Sequence, residues 1–462
     1  MASRTEGGMA NGGRNERLAA LLVESGWSAA ELARAVNALG SAQGLRLRYD
    51  RTSVAHWLSG SRPRSPVPDL VAAALTSRVG HLITAQDTGL AQTSQAPVLV
   101  NSAQPREIQM VRRLLDLWHA DADPRRRALL AHHDYRLSAL TLPAWPPASR
   151  STVEQCAEDG SPEPSTVTLR EMTQTFAQLA DQHGGRLIRP LLATYLRDTA
   201  SPYLAAPTPL DPGQREVFTG TAQLTHLLAG MADDSGHLGL AQDYFHGALR
   251  LARAVTDGRQ YAITLRAMSA QALRLGHVAQ ALRLADGALT TLGPCRDGAV
   301  QSFLLSQRAH ARARTGERRL ARADLRAAET HHERASSASG PFSTYPRAGL
   351  EYQRFQTLSA LQDRAPALAA LEASVRHRAE GERKATALTH ARLAEVHLSA
   401  GRLDAAVPHV QAFLDRYPLL HSAHTETAHQ RLDEALARFP RQREALALRD
   451  QARAVLHPLA DT

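Results

Sequence analysis

The sequence predicts an all-α chain: a small cluster of short helices followed by a long array of helix pairs. Three observations carry this. Alanine and leucine dominate the 462 residues while aromatic residues make up only 5 %, a balance that favours helices over sandwiches and barrels. Apolar residues recur at helical spacing from Asn15 onward. A glycine followed at offsets of 5, 9 and 12 by small or apolar residues returns several times in the second half of the chain.

The length exceeds what one hydrophobic core serves, so several domains or an elongated array are expected. Two cysteines, Cys156 and Cys295, provide neither a disulfide framework nor a thiolate cluster for zinc, which points to a cytoplasmic protein. There is no charged start followed by an apolar stretch, and no apolar run of the roughly 18 residues needed to cross a bilayer, so neither secretion nor a membrane partner is expected. The formal charge is +9, but 53 of the 54 basic residues are Arg, with Lys384 the single lysine, and Ile and Asn occur four times each. These residues share A/T-rich codons, so the arginine bias reads as the mark of a GC-rich genome. Global basicity therefore does not locate a nucleic-acid site.

Residues 1–13 carry no periodic apolar pattern and read as a disordered start. Leu18, Leu21 and Leu22 lie at helical spacing before the stop signal Ser25-Gly26. Ser28 is a good N-cap with Glu31 as its capping-box partner, ahead of an apolar face of Leu32, Ala33, Val36 and Leu39. Gly40 to Tyr49 reads as a loop, and Asp50 caps a third helix from Arg51 to Ser59, closed by Gly60. In that helix Val54, Trp57 and Leu58 share one face, and Arg51, Thr52, Ala55, His56 and Ser59 share the other. A fourth helix is expected from Val67 to about Val79.

A capped helix with one small, polar, basic face is what a major-groove reader needs. The runs Trp27-Ser28-Ala29-Ala30-Glu31-Leu32-Ala33 and Arg51-Thr52-Ser53-Val54-Ala55-His56-Trp57-Leu58-Ser59-Gly60 resemble the lambda-repressor-like (XRE) helix-turn-helix over about residues 15–79. The connection between the second and third helices is longer than is usual in that family, and the run from Arg48 to Leu58 looks like a variant found in actinomycete regulators. Local charge agrees. Arg46, Arg48, Arg51, Arg62 and Arg64 face one acid, Asp50, a surplus of +4 in 19 residues. Arg51 and Thr52 are expected at base edges with Ser53, Ala55, His56 and Ser59 as neighbours, while Arg46, Arg48, Arg62 and Arg64 suit phosphates. His56 reads equally well as a surface histidine.

Residues 91–104 have linker composition, and helices are expected from Pro105 to about Ala120 and from Pro124 to Leu137. Leu142 to Pro164 holds five prolines and reads as a loop in which Cys156 is an incidental thiol. The repeat then begins: Gly236, Ala241, Phe245, Ala248; Gly276, Ala281, Ala285, Ala288; Gly316, Ala321, Leu325, Ala328; and Gly401, Ala406, Val410, Phe413, with a weaker copy at Gln362, Ala367, Leu371 and Ser374. Glycine permits a tight turn, and small residues let two antiparallel helices approach. No single pair buries its apolar face, so neighbours stack into a solenoid. The pattern resembles tetratricopeptide repeats, whose period is about 34 residues, so the 40 found here implies longer helices or connections. Another α-solenoid or an irregular bundle is the alternative.

The runs Leu169 to Leu204, with Gly184-Gly185, and Met231 to Phe245 look like XRE regulators with tetratricopeptide C-terminal domains. The architecture is similar to peptide-responsive regulators whose repeats bind a peptide on the concave face, an analogy of fold alone. Inward-facing first-helix positions then give candidate ligand contacts: His226, Asp233, Arg266, Arg274, Ser306, His310, Tyr352, Gln356 and Glu395. A solvated inner face that contacts nothing is the alternative for each.

No phosphate-cradling loop is present, since Lys384 stands in Gly-Glu-Arg-Lys. His421, His424 and His429 with Glu426 read as a solvated face rather than a metal site, and adjacent Asp233 and Asp234 point about 100° apart on a helix, poor geometry for a catalytic dyad. No enzyme, metal or cofactor is expected. The fold class is thus an all-α chain, an N-terminal helix-turn-helix domain followed by a tetratricopeptide-like α-solenoid. The expected organisation is a disordered start (1–13), a DNA-binding domain (14–90), a linker (91–104), a helical connector (105–166) and the repeats (167–456). The function expected is a sequence-specific regulator that binds double-stranded DNA, senses a peptide, small ligand or protein in its repeats, and acts as a homodimer. An interaction adaptor whose helix-turn-helix no longer binds DNA is the alternative.

Overall fold

The computed structural model describes residues 14–42, 45–79, 83, 85, 87–90, 105–130, 133–140, 145, 164–204, 212–293, 297–335 and 345–454. The expected disordered start, the linker, nearly all of the proline-rich loop and both cysteines lie outside the described residues. Those described contain helices and no strand. The chain divides into two compact units, residues 1–136 and 137–462, so the two helices read as a connector, up to residue 136, belong to the first unit.

In the first unit, α1 (Glu16–Ser25), α2 (Ala29–Ala42), α3 (Arg51–Leu58) and α4 (Val67–Val79) enclose a core of Leu18, Leu32, Val36, Val54, Trp57, Leu70, Val71 and Leu75. α5 (Pro105–Ala122) and α6 (Pro124–Leu130) follow. The second helix runs two residues past Gly40, the expected start of the loop, because Leu47 folds back onto Gly40 and packs where a side chain would stand. The sixth helix ends at Leu130 rather than Leu137, and a 3-10 turn covers Leu137–Leu140.

The second unit opens with α7 (Pro164–His183), α8 (Gly185–Tyr195), a π-helical turn at Leu196–Ala200 and the short α9 (Ser201–Leu204). Antiparallel pairs follow: α10 (Pro212–Asp234) with α11 (Leu238–Ala254), α12 (Gly258–Arg274) with α13 (Val278–Leu292), and α14 (Gly298–Arg314) with α15 (Arg318–Glu333). Next come α16 (Arg347–Ala360) with α17 (Arg364–Arg376), α18 (Arg383–Ser399) with α19 (Leu403–Leu414), and α20 (Ala423–Leu436) with α21 (Arg443–Ala454). This is a tetratricopeptide-like α-solenoid.

The repeated residues do what their spacing requires. Gly236, Gly276, Gly316 and Gly401 sit in the intra-pair turns with φ of 87°, 87°, 85° and 73°, a region that side chains disfavour. Gln362 holds the same place at φ 64°. Every small or apolar residue at the three following offsets is buried, from Ala241 at 0 % exposure to Leu325 at 6 %. The period of 40 comes from the helices: α12, α13, α14 and α15 run 17, 15, 17 and 16 residues.

The array also returns on itself. Gly184 and Gly185 at the α7–α8 junction meet the start of α20, where His421 N–H donates to the His183 carbonyl at 2.8 Å and Arg186 N–H donates to the His421 carbonyl at 3.1 Å. Gly184 has φ 87°, and a Cβ there would lie 2.4 Å from the His421 carbonyl oxygen, so only glycine fits. Asp234, at the end of α10 and 4 % exposed, ties the contact together. It accepts from Gly185 N–H (2.7 Å), Ser422 Oγ (2.6 Å) and Lys384 Nζ (3.0 Å), with His424 Nδ1 at 3.2 Å. Arg186 adds a two-pronged pair with Glu426 at 2.6 and 2.9 Å.

Candidate nucleic-acid interface and repeat-face cluster

The first candidate site is α3 with its flanks. Asp50 accepts from Ser53 N–H at 2.8 Å and from the Ser53 hydroxyl at 2.8 Å, which fixes the start of the helix. Those bonds hold the Asp50 carboxyl below the usual carboxylate range, so it stays ionised at the positive end of the helix. The long connection from α2 is pinned by a residue that the sequence reading missed. Asn37 on α2 donates to the Tyr49 carbonyl at 2.7 Å and accepts from Tyr49 N–H at 2.9 Å, acting as a strand edge would. The Tyr49 ring then stands edge-on to Trp57, centroids 5.1 Å apart. Asn15 performs a similar office at the other end: its backbone N–H reaches the Leu58 carbonyl at 2.8 Å, and its side chain both caps α1 and donates to the Thr88 carbonyl. A half-buried amide clip leaves little local trace in a sequence; the signal at Asn37 was an Asn inside an amphipathic helix, where its propensity is poor.

Val54 and Trp57 are buried, and Arg51, Thr52, Ala55, His56 and Ser59 are exposed, as are Arg46, Arg48, Arg62 and Arg64. Ser53 is half-buried and its hydroxyl is committed to the cap. The Ser59 hydroxyl donates back to the carbonyls of Ala55 and His56 at 2.9 and 3.1 Å. None of the five arginines between residues 46 and 64 is ion-paired with a described residue. Elsewhere in the chain a number of arginines are paired: Arg126 with Asp69 at 2.8 Å, Arg308 and Arg312 with Asp324 at 2.8 Å, Arg318 and Arg322 with Asp363 at 2.9 and 2.5 Å. These five therefore leave their charge unneutralised by any described residue around one exposed helix face.

In the repeats, the expected inward positions separate into three groups. Asp233 and Arg274 bond to each other, with Nη2 2.6 Å from Oδ1, and Gln271 also donates to Asp233 at 2.8 Å, so these two join successive repeats at the turn end. Tyr352, Gln356 and Glu395 lie farther along the array, half-buried; Glu395 is bracketed by Arg392 at 2.6 Å and Arg431 at 2.9 Å. His226, Arg266, Ser306 and His310, on three consecutive first helices, form a cluster. The His226 Nδ1 lies 3.2 Å from Thr264 Oγ1, and the Ser306 hydroxyl lies 3.1 Å from the Tyr345 hydroxyl. Burial, together with the nearby Arg266 charge, pushes His226 down to about 4; burial with Arg314 and Arg266 does the same to His310. Both imidazoles are thus neutral at pH 7. Phe303 and Tyr345, which the sequence reading did not select, complete the cluster: the Arg266 guanidinium carbon lies 4.0 Å above the Phe303 ring, and Phe303 meets Tyr345 edge-on at 5.0 Å.

The three histidines near the C-terminal end point to different partners. His424 turns to Asp234, whereas His429 stacks on Tyr417 at 4.6 Å and bonds the Ala452 carbonyl at 3.0 Å. Asp233 and Asp234, adjacent on α10, bind Arg274 and Lys384 respectively. Among the described residues no helix is long and apolar enough to cross a membrane.

Residues 18–91 match the family described as the SP15 N-terminal domain. No curated protein matches the sequence. Among solved structures, the chain is similar to the crystal structure of the APC/C hetero-tetramer Cut9-Hcn1, with 13 % identity and a TM-score of 0.34 over 93 % of this chain and 68 % of that one.

Proposed function

We propose that the chain is a DNA-binding regulator of the XRE helix-turn-helix type, with α3 reading the major groove of double-stranded DNA and the repeat unit binding a peptide or protein partner. The observation that carries the reading is the set of five arginines, none ion-paired with a described residue, bracketing an exposed, capped helix whose other face is buried. Arg51 and Thr52, at the N-terminal end of α3, address base edges, and Arg46, Arg48, Arg62 and Arg64 address phosphates on either side. The clip from Asn37 to Tyr49 gives the long connection a fixed shape, so a loop longer than the family's usual turn still presents α3 rigidly. One such unit covers only a few base pairs. A homodimer on two half-sites about 34 Å apart would supply the missing affinity. The repeats, as stacked helix pairs, serve as the partner-binding part.

A salt-titrated binding measurement on genomic DNA fragments tests this. The double variant Arg51→Ala, Arg62→Ala is expected to lose affinity, by base contact at Arg51 and phosphate contact at Arg62, and to flatten the dependence of log K on log salt by about one unit, for the one phosphate contact removed. Unchanged affinity and slope would leave the adaptor reading, in which only the repeats are functional.

A further inference from the structure

We propose that the stacked rings of His390, His409 and His397 form an acid-sensitive latch between α18 and α19, which opens this helix pair, and with it the return contact of the array, when the rings take up protons. The basis is a bond that exists in only one protonation state. His390 Nδ1 and His409 Nδ1 lie 3.0 Å apart. A neutral imidazole has one donor nitrogen and one acceptor, so one ring donates here and the other accepts, whereas a charged imidazolium has donors alone. Once both rings are charged, the bond is replaced by two donors and two like charges facing each other at that distance. The His409 ring stacks on both of the others, with centroids 5.2 Å from His390 and 5.9 Å from His397. His397 is 7 % exposed and its buried Nδ1 has no hydrogen-bond partner among the described residues. A proton there places a charge away from water with no acceptor.

The surroundings oppose those protons. Burial, with the positive charge that His409 and Arg416 add, pushes His390 down to about 4. Burial also lowers His397, joined by Arg402, and His409, joined by His397, with Glu372 on α17 opposing both shifts. On the other helices packed against the pair, Arg431 of α20 goes to Glu395, Glu426 of α20 to Arg186, and His429 of α20 stacks on Tyr417. Asp181 of α7 takes the Ala385 N–H, and Arg449 of α21 goes to Asp433. A histidine whose folded pKa lies below its unfolded value of about 6.5 costs nothing above that value and removes stability as pH falls from there towards the folded pKa. From His390 alone, a fall from pH 7.5 to 5 shifts the balance of closed and open pair by about thirtyfold towards open.

The helix that carries two of these rings also carries the return contact. Its first three residues, Arg383, Lys384 and Ala385, bond to the Gln182 carbonyl, to Asp234 and to Asp181 at 3.0, 3.0 and 3.3 Å. A shift of α18 that relieves the histidines therefore pulls on all three. His424, 3.7 Å from Asp233 and 3.2 Å from Asp234, works the other way, since a proton on it adds an attraction within the contact.

Amide hydrogen exchange of the full-length protein, followed as the pH is lowered and corrected for the intrinsic pH dependence of exchange, tests the latch. Wild type is expected to lose protection in α18 and α19 by about thirtyfold or more between pH 7.5 and 5. Gly185, Arg186 and His421, whose N–H groups bond across the return contact, should lose protection over the same range. The double variant His390→Gln, His409→Gln keeps a donor and an acceptor at the pair but takes up no proton there, so it should hold its protection in α18 and α19 apart from the share of His397. His226→Gln removes another ring that burial lowers to about 4, on α10, and should leave the acid loss in α18 and α19 as in wild type. Should the double variant fail to fold, His409→Gln alone decides, because it removes one of the two facing charges. Wild-type protection in α18 and α19 that is unchanged down to pH 5, or an acid loss that the glutamine variants reproduce in full, would overturn the proposal. A loss confined to α18 and α19, with Gly185, Arg186 and His421 unmoved, would overturn the link to the return contact. None of these outcomes depends on whether the chain binds DNA.

Discussion

Replacing Asp234 should unlock the contact through which the repeat array returns on itself. The carboxylate is 4 % exposed and gathers Gly185 N–H, Ser422 Oγ, Lys384 Nζ and His424 within 2.6 to 3.2 Å. Bonds to a charged group contribute about 1.5–3 kcal/mol each, but these share one desolvated anion and do not add. Removing one side of a buried pair costs about 3–5 kcal/mol, since the 20 % exposed Lys384 ammonium is left without its anion. Asp234→Ala is expected to lose about that much, Lys384→Met less, because three other donors remain, and the double variant less than the sum, with a coupling of about 1–3 kcal/mol. Amide hydrogen exchange reads the effect locally: the N–H groups of Gly185, Arg186 and His421 all bond across this contact and should lose protection together. Burial alone would raise the Asp234 pKa, but Lys384, His424 and Ser422 outweigh it and hold it well below the usual carboxylate range. A depressed carboxylate stabilises above its unfolded pKa, so the difference between wild type and variant should be constant at neutral pH and shrink only as pH falls below about 4. Additive single effects under about 1 kcal/mol with unchanged exchange at those amides would refute the reasoning.

Two further predictions concern strain and burial. Gln362→Gly should stabilise the repeat unit by about 0.5–1 kcal/mol, because Gln362 sits at φ 64° where the other turns carry glycine; urea unfolding reads it, and a loss of stability would show that the side chain contributes more than the backbone costs. Burial, with Asp87 nearby, raises Asp116 in the first unit to about 6, against the opposing charges of Arg126, His119 and Arg112. A carboxylate with a raised folded pKa destabilises above that pKa and ceases to do so as pH falls towards its unfolded value, so Asp116→Asn should stabilise at pH 7 by up to about 2 kcal/mol and make no difference near pH 4. Thermal melts at the two pH values check the sign, and a pH-independent difference would exclude the ionisation as its cause.

What the sequence made legible was local. The two faces of α3 follow from a 3.6-residue period, so Val54 and Trp57 on the buried side and Arg51, Thr52, Ala55 and His56 on the other could be assigned without a structure. The repeat offsets were legible for the same reason, even at Gln362, where the residue type argued against the turn and only the register of Ala367, Leu371 and Ser374 argued for it. The inward-facing list was only partly informative, because helical spacing says which face a residue occupies and not whether a neighbouring repeat reaches it. Asp233 and Arg274 occupy such positions and consume each other. Phe303 and Tyr345 were missed because an aromatic residue beside a repeat position reads as core until the guanidinium above it is seen.

The return contact was illegible for a deeper reason. It joins residues 150 to 240 positions apart, and whether they meet depends on the small rotation per repeat summed over the array, which no window of sequence encodes. One trace was nevertheless present in the composition. Arginine fills 53 of 54 basic positions, and the one lysine is the residue that reaches Asp234. Arg186, Arg274 and Arg383 line the same region with forked guanidinium groups bonded to Glu426, Asp233 and the Gln182 carbonyl. The space left at Asp234 is already occupied by a backbone N–H, a hydroxyl and an imidazole, which favours a compact ammonium over a planar fork. A rare residue in a biased composition is therefore informative where a common one is not: the arginines had to be sorted by their partners before any carried meaning, whereas Lys384 marked its site by being there at all.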